Sequence, residues 1–308
     1  MISLKHNFQS EKPDGGDSTI IQPSYWNDEH VLEQATQRIL GRLTASTGAT
    51  EELTAAQVLA FIGYPPNFLT GLTLSNNGSD ATNDIDIAAG ACRAAASSSV
   101  VANMDLGSTL TKRLDASWAV GSGNGGLDTG SIADGTYHVH LIRRSDTGVV
   151  DALFSTSATA PTMPADYDSF RRIGSIVRSS SAIVVFRQFG DHFNRAELTL
   201  STGTSNKSSA LTVVGVPTGI VVKPILRIVN VNSGGFTSIR LGDAAAGSAN
   251  ILTSLSDASN VQDVIYPFVH TNTSGQIYHS ITIDSGSALA TNLNTIGWID
   301  RRGQDGGT

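Results

Sequence analysis

From Asn67 onward apolar and polar positions alternate with period two, and turn residues interrupt them about every ten positions, the pattern of a sandwich or barrel. Asp84-Ile85-Asp86-Ile87 alternates strictly, and the run Thr136–Ile142 places Tyr137, Val139 and Leu141 on one face. Ser145-Asp146-Thr147-Gly148 reads as a hairpin turn into a strand over Val149–Phe154. A second run of strands is expected at Ala182–Phe186, Leu211–Val214, Lys223–Val231, Thr237–Leu241, Val264–Val269, Ile277–Ile283 and Ile296–Asp300. Val216-Pro217-Thr218-Gly219 and Ser233-Gly234-Gly235 are its clearest turns. Leu110, Leu114 and Trp118, spaced by four, predict one short helix lying on the first sheet.

The first 66 residues differ. In Leu53-Thr54-Ala55-Ala56-Gln57-Val58, Thr54 can accept from the Gln57 amide while Gln57 reaches back, a capping box, with Leu53 placed to staple onto Val58. The helix runs through Val58, Leu59, Phe61 and Ile62, stops at Gly63, and Pro65-Pro66 forbids continuation. So short a helix does not stand alone. It must pack on something, and the simplest partner is another copy of itself. Upstream, Val31, Ala35 and Ile39 suit a helix starting near Asn27 or Asp28, while Arg38–Arg42 suits a strand; both readings stay open. The expected fold class is mainly β: a short N-terminal arm (1–66) with a small capped helix, followed by two antiparallel β-sandwich-like domains (67–180 and 181–308).

Composition sharpens this. Charged residues are 15% of the 308 positions, well below the roughly 25% of an average soluble domain. Glu occurs six times, five of them (Glu11, Glu29, Glu33, Glu51, Glu52) in the first 52 residues and the sixth at Glu197. Glu favours helices over strands, so helix is expected at the N-terminus and β elsewhere. The net charge of −7 falls as −4 on the arm, −3 on residues 67–180 and zero beyond. That balance argues against nucleic acid or an anionic membrane as partner. Cys92 is alone, which excludes an intrachain disulfide and an all-cysteine metal site. Met1–Gly16 is polar and no run approaches the ~18 apolar residues of a membrane span, so a protein made in a cytoplasm, without ordinary export signal or membrane insertion, is expected.

Several constellations could carry chemistry. Gly121-Ser122-Gly123-Asn124-Gly125-Gly126 matches a dinucleotide fingerprint but is followed by a strand rather than a helix, so a flexible loop is expected. Asp128-Thr129-Gly130 spells an aspartic-protease triplet without the second carboxylate it needs, and reads as a turn. His138 and His140 share one strand face. They could bind a divalent metal around a threefold axis, or be two ordinary imidazoles bonded to neighbours. Asp80, Asp84 and Asp86 with Asn76, Asn77 and Asn83 are oxygen-rich but lack a calcium-loop register. The doublets Arg143-Arg144, Arg171-Arg172 and Arg301-Arg302 are expected to pair with Asp residues. His30, His192, His270 and His279 have no motif around them, and no Ser, His and Asp arrangement looks catalytic. No catalytic residue, cofactor or metal ligand is assigned.

The arm contains Trp26-Asn27-Asp28-Glu29-His30, Ile39-Leu40-Gly41-Arg42 and Thr44-Ala45-Ser46-Thr47-Gly48-Ala49-Thr50-Glu51-Glu52-Leu53-Thr54. These blocks, with Leu74–Asn77, Asn83–Gly90, Leu110–Asp115, Asp146–Ser155, Arg171–Ile176 and the terminal Gly297–Gly303, resemble bacteriophage and prophage tail-fibre-type virion proteins. The resemblance is strongest over residues 24–178 and loose over Ala182–Ile296. It implies a non-enzymatic virion component, a tail fibre or fibre-like appendage. It also implies a homotrimer, other tail, neck or baseplate proteins as partners of the arm, and a host surface glycan or protein as a further partner. The competing readings are a tailspike-type polysaccharide depolymerase, for which neither repeats nor a carboxylate pair are visible, and a stand-alone carbohydrate-binding module.

Overall fold

Alternation with period two commits nearly half of this chain to strands, and the computed structural model is mainly β. It describes every residue except 1–2, 5–10, 25–29, 32–33, 204, 233–235, 248–251, 257–260, 266–268, 286–287 and 305–308. The chain divides into two units, Met1–Gly63 and Tyr64–Thr308.

The first unit carries strands β1 (Ser3–Leu4), β2 (His30–Val31), β3 (Arg38–Gly41) and β4 (Glu51–Thr54), then helix α1 (Ala55–Ile62). β1 pairs with β2, and β3 with β4, both antiparallel. Of the two readings for residues 38–42, the strand is the one formed. The Trp26–Glu29 motif and the alternative helix start lie outside the described residues. Glu51 and Glu52 sit on β4 rather than in a helix, because Glu51 has work at the hairpin turn: its carboxylate meets Arg42 at 3.1 Å and accepts from the Leu43 amide at 3.2 Å. The capping box is formed, with Gln57 N donating to Thr54 Oγ1 at 3.2 Å and Thr54 N to Gln57 Oε1 at 2.8 Å. Gly63, at φ 74°, ends the helix with its N–H on Leu59 O, a conformation glycine adopts without strain.

The second unit runs β5 (Leu69–Gly71), β6 (Leu74–Asn76), β7 (Asp84–Ile87), β8 (Gly90–Arg93), β9 (Asn103–Leu106), β10 (Leu110–Ser117), β11 (Asn124–Leu127), β12 (Gly135–Arg143), β13 (Val150–Ser155) and β14 (Ser169–Ser179). It continues with β15 (Ala182–Ile183), β16 (Phe186–Phe189), β17 (His192–Gly203), β18 (Lys207–Val213), β19 (Lys223–Asn232), β20 (Phe236–Gly242), β21 (Leu252–Ser256), β22 (Val261–Ile265), β23 (Gln276–Ser285) and β24 (Ala288–Ile299). Thirteen strands form one sheet in the order β15-β14-β12-β13-β11-β10-β7-β6-β16-β17-β24-β19-β22. Strands from residues 67–180 and 181–308 therefore share a sheet, meeting where β6 pairs with β16 at Ser75 and Arg187. Smaller sheets are β18-β23-β20-β21 and β5-β8-β9. Two pairings, β10 with β11 and β11 with β13, are parallel, where an all-antiparallel arrangement was expected.

The helix expected from Leu110, Leu114 and Trp118 is instead strand β10. A spacing of four is also two strand periods; Leu110, Lys112 and Leu114 are buried in alternation, and the charge on Lys112 disguised the period. The glycine-rich run is likewise only half a loop, since Asn124–Leu127 is β11. A Cβ on Gly125 would lie 2.0 Å from Ser117 O, and one on Gly126 2.8 Å from the Phe154 ring, so these glycines allow close strand approach rather than flexibility. The twelve-residue β17 was not foreseen, and the turn expected at Ser233–Gly235 lies outside the described residues.

β12 is buried on both faces from Tyr137 to Ile142. Tyr137, Val139 and Leu141 join the main core, whereas Ile142 packs with Leu153 and Tyr167 on the other side. A Cβ on Gly174 of β14 would meet Leu74 Cδ1 at 2.7 Å and Phe193 Cζ at 3.3 Å, so β14 packs face-on against β6 and β17. Phe193 in turn stacks on the buried Trp298 at 5.3 Å. The expected consequence is that Gly125→Ala separates β10 from β11 and costs about 1–3 kcal/mol. Gly107→Ala, with nothing within 4 Å of the added methyl, should be near neutral; urea midpoints of the two variants check the contrast.

Candidate functional site

The histidine pair lies at the centre of the second unit. His138 and His140 project from the same face of β12 and both are fully buried. His138 Nδ1 is 2.9 Å from Ser175 Oγ, and His140 Nε2 is 3.0 Å from Ser157 O, which makes Nε2–H the donor there. The opposite nitrogen of each ring, Nε2 of His138 and Nδ1 of His140, is buried without a well-formed hydrogen bond. Burial, reinforced at His138 by the nearby Arg172 charge, pushes their pKa values down to about 4 and about 3. Both are therefore neutral at physiological pH. Among the described residues no group of three or more His, Cys, Asp or Glu is placed to hold a metal.

Around His138 a polar network closes. Arg172 donates bidentately to Asp300, at 2.6 Å and 2.9 Å, and from Nη1 to Ser175 Oγ at 3.0 Å. Ser175 Oγ also lies 3.4 Å from Asp300 Oδ2, and the Arg302 amide donates to Asp300 Oδ1 at 2.8 Å. Burial opposes ionisation of Asp300, but Arg172 and these donors outweigh it and hold its carboxyl below the ordinary range. Ser, His and Asp thus meet, though no motif announced them, because they come from residues 138, 175 and 300. Their order is not that of a nucleophilic triad. The serine stands between the imidazole and the carboxylate, so no carboxylate orients the imidazole as a base.

One arginine of each doublet pairs with an Asp residue: Arg144 with Asp146 at 2.7 Å, Arg172 with Asp300, and Arg302 with Asp191 at 3.2 Å. Arg171 has a different kind of partner. It donates to Gly303 O at 2.6 Å. Two cavities flank Arg172, one of about 500 Å³ reaching Arg171, Phe170 and Ser97, the other of about 350 Å³ reaching Lys223, His270 and Arg301.

A second buried charge was not anticipated. Lys112 and Asp151, 0% and 1% exposed, meet at 3.1 Å. Lys112 Nζ also donates to Ala119 O at 2.7 Å and Gly121 O at 3.2 Å, while Asp151 Oδ2 accepts from the Gly121 amide at 2.7 Å. Burial lowers the Lys112 pKa and Asp151 works against that shift. The pair pins the glycine-rich turn to the sheet. The remaining candidates are turn chemistry. Asn77 and Asp80 accept from the amides of Ser79, Asp80, Thr82 and Asn83, and Asp86 accepts from Asn77 and Thr111. Asp128 accepts from the Thr162 amide at 2.9 Å. His279, fully buried, lies 3.1 Å from Lys207 Nζ; burial and that charge lower its pKa to about 4.

Compared with known proteins, the chain matches no family model, no curated protein and no solved structure.

Two outcomes follow. His138, His140 and His279 are held neutral in the fold but titrate near 6.5 when unfolded, so the unfolded chain binds more protons below that pH. Stability should fall as pH drops from about 6.5 towards 4, by up to about 1.4 kcal/mol per pH unit for each histidine. Urea unfolding across that range checks the slope, and His279→Gln should reduce it. Separately, Lys112→Met and Asp151→Leu should each cost about 3–5 kcal/mol by leaving a buried charge unpaired, and the double variant less than either. A double-mutant cycle measures this coupling.

Proposed function

We propose that the protein is a non-enzymatic structural component of a tailed-phage virion, a tail fibre or fibre-like appendage that self-associates as a homotrimer through its N-terminal unit. The observation that carries the reading is α1. None of its residues is buried, and Leu59, Phe61 and Ile62 are 50%, 75% and 67% exposed. Burying such side chains stabilises by about 1.5–3 kcal/mol each, and copies of the same helix around a closed symmetry axis supply the apolar partner. The resemblance of the arm to tail-fibre-type proteins supplies the virion.

In this reading residues 1–66 dock to other tail, neck or baseplate proteins, and the regions 67–180 and 181–308 project from the particle as sandwich-like bodies. The outer end meets a host surface glycan or protein. The chain is made in the bacterial cytoplasm and ends in the virion.

Native mass spectrometry at micromolar concentration should give a trimer for the full chain. Phe61→Ser with Ile62→Ser should give monomers with an unchanged far-ultraviolet spectrum, and virions assembled with that variant should lose the chain. A monomeric parent protein, or a double variant that assembles normally, overturns the reading.

A further inference from the structure

Among the described residues Lys112 is the only buried lysine; the other buried cations are the arginines Arg171 and Arg302. The difference is chemical. A guanidinium keeps its proton, whereas an amine that gives up its proton in a dry site is a nucleophile. Lys112 stands against the buried carboxyl of Asp151.

The pair spans a strand. Lys112 lies on β10 and Asp151 on β13, with β11 between them in the sheet. A Cβ on Gly126 of β11 would lie 3.2 Å from Lys112 Cβ, so the lysine crosses that strand where it carries no side chain. Trp118 covers the crossing. Its ring centroid is 5.5 Å from Nζ, its Nε1–H donates to Ala152 O at 3.1 Å, and Tyr167 packs edge-on against it at 5.2 Å. Loss of water is favoured in such a dry place, and no chain movement is needed to bring the groups together.

Both carboxyl oxygens are held. Oδ2 accepts from the Gly121 amide at 2.7 Å and Oδ1 from the Ala152 amide at 2.6 Å, with Nζ 3.1 Å from Oδ1. Ala119 O and Gly121 O take two of the three ammonium protons, which leaves the third for the carboxylate. Passing that proton across yields a neutral amine and a neutral acid, and burial favours the amine form of Lys112.

We propose that Lys112 and Asp151 condense in the folded chain to an intramolecular isopeptide bond that ties β10 to β13. The proton passes from Nζ to Oδ1, and the Nζ lone pair then attacks Cγ. Oδ2, on the Gly121 amide, carries the negative charge of the tetrahedral intermediate. The nitrogen gives a second proton to Oδ1, the Cγ–Oδ1 bond breaks, and Oδ1 leaves as water. No oxidant, metal or cofactor enters the balance. The product is a neutral amide in place of two buried charges whose attraction does not reliably offset their desolvation. It cross-links a chain whose one cysteine is free, and it does not depend on the appendage reading.

Mass spectrometry of the purified full chain tests this. The folded protein should be lighter than its sequence by one water. After unfolding and trypsin digestion, residues 94–113 and 145–171 should appear as one branched peptide, because trypsin does not cleave after an acylated lysine. Chain synthesised and held in urea should have the full sequence mass and lose the water on refolding. Lys112→Arg and Asp151→Leu should each keep the full mass. A folded parent chain that retains the water overturns the assignment, as does a lost water that maps to an Asp-Gly succinimide instead of the branched peptide. Both readings are taken on the parent protein, so neither depends on a variant that folds.

Discussion

The bidentate pair between Arg172 and Asp300 holds the end of the last strand against a strand that precedes it by more than a hundred residues. Taking both charges out of water is expensive, and Coulomb attraction alone does not reliably offset it. Here the remaining valences are filled as well: Asp300 accepts from the Arg302 amide, and Arg172 donates to Ser175. Around this pair the C-terminal turn is threaded into three other places. Arg302 reaches Asp191 and Gly71 O, and Gly303 O receives Arg171. In a chain with one cysteine, buried and free, directional polar contacts of this kind perform the long-range closure that a disulfide would otherwise provide.

How much of this could be read from the sequence depends on whether burial and polarity agree. Where they do, the reading was good. Thr54 and Gln57 fix the start of α1, Gly63 fixes its end, and the alternation around Tyr137, Val139 and Leu141 marks β12 with its hairpin into β13. Where they disagree, the pattern misled. Lys112 interrupts the apolar period of β10 because its burial is tolerated only through Asp151, thirty-nine residues away, and no local rule contains that information. β17 was missed for a related reason: Glu197, at its middle, is bound by Arg227 and Asn294, and reads as solvent-facing until those strands are in place. The site around His138 is the extreme case, since its members are visible individually and meaningless until three distant segments converge.

The same disagreement explains why the interior carries so many polar groups. A purely apolar alternative would bury the same area but would specify register weakly, since any shift by two residues keeps apolar side chains inward. A buried lysine or arginine penalises every register but the one that supplies its acid. That is a specificity argument in the sense of a single favourable pairing, and it accounts for charges at β10, β14 and the C-terminal turn, where long strands would otherwise slide.

The geometry of β14 carries the argument one step further. Between Val139 and His140 of β12 the register slips, so that Gly174 and Arg172, rather than neighbouring residues, oppose them. Ile173 is the extra residue, a bulge. In a regular strand Arg172 and Ser175, three positions apart, would point to opposite faces. The inserted residue turns Arg172 onto the face of Ser175, His138 and His140, and sends Arg171 to the face of Leu141. Without it the Arg172–Ser175 contact at 3.0 Å could not form, and Asp300 would lose the donor that draws the last strand in. One added residue therefore sets which arginine reaches Asp300 and which turns to the face of the main core.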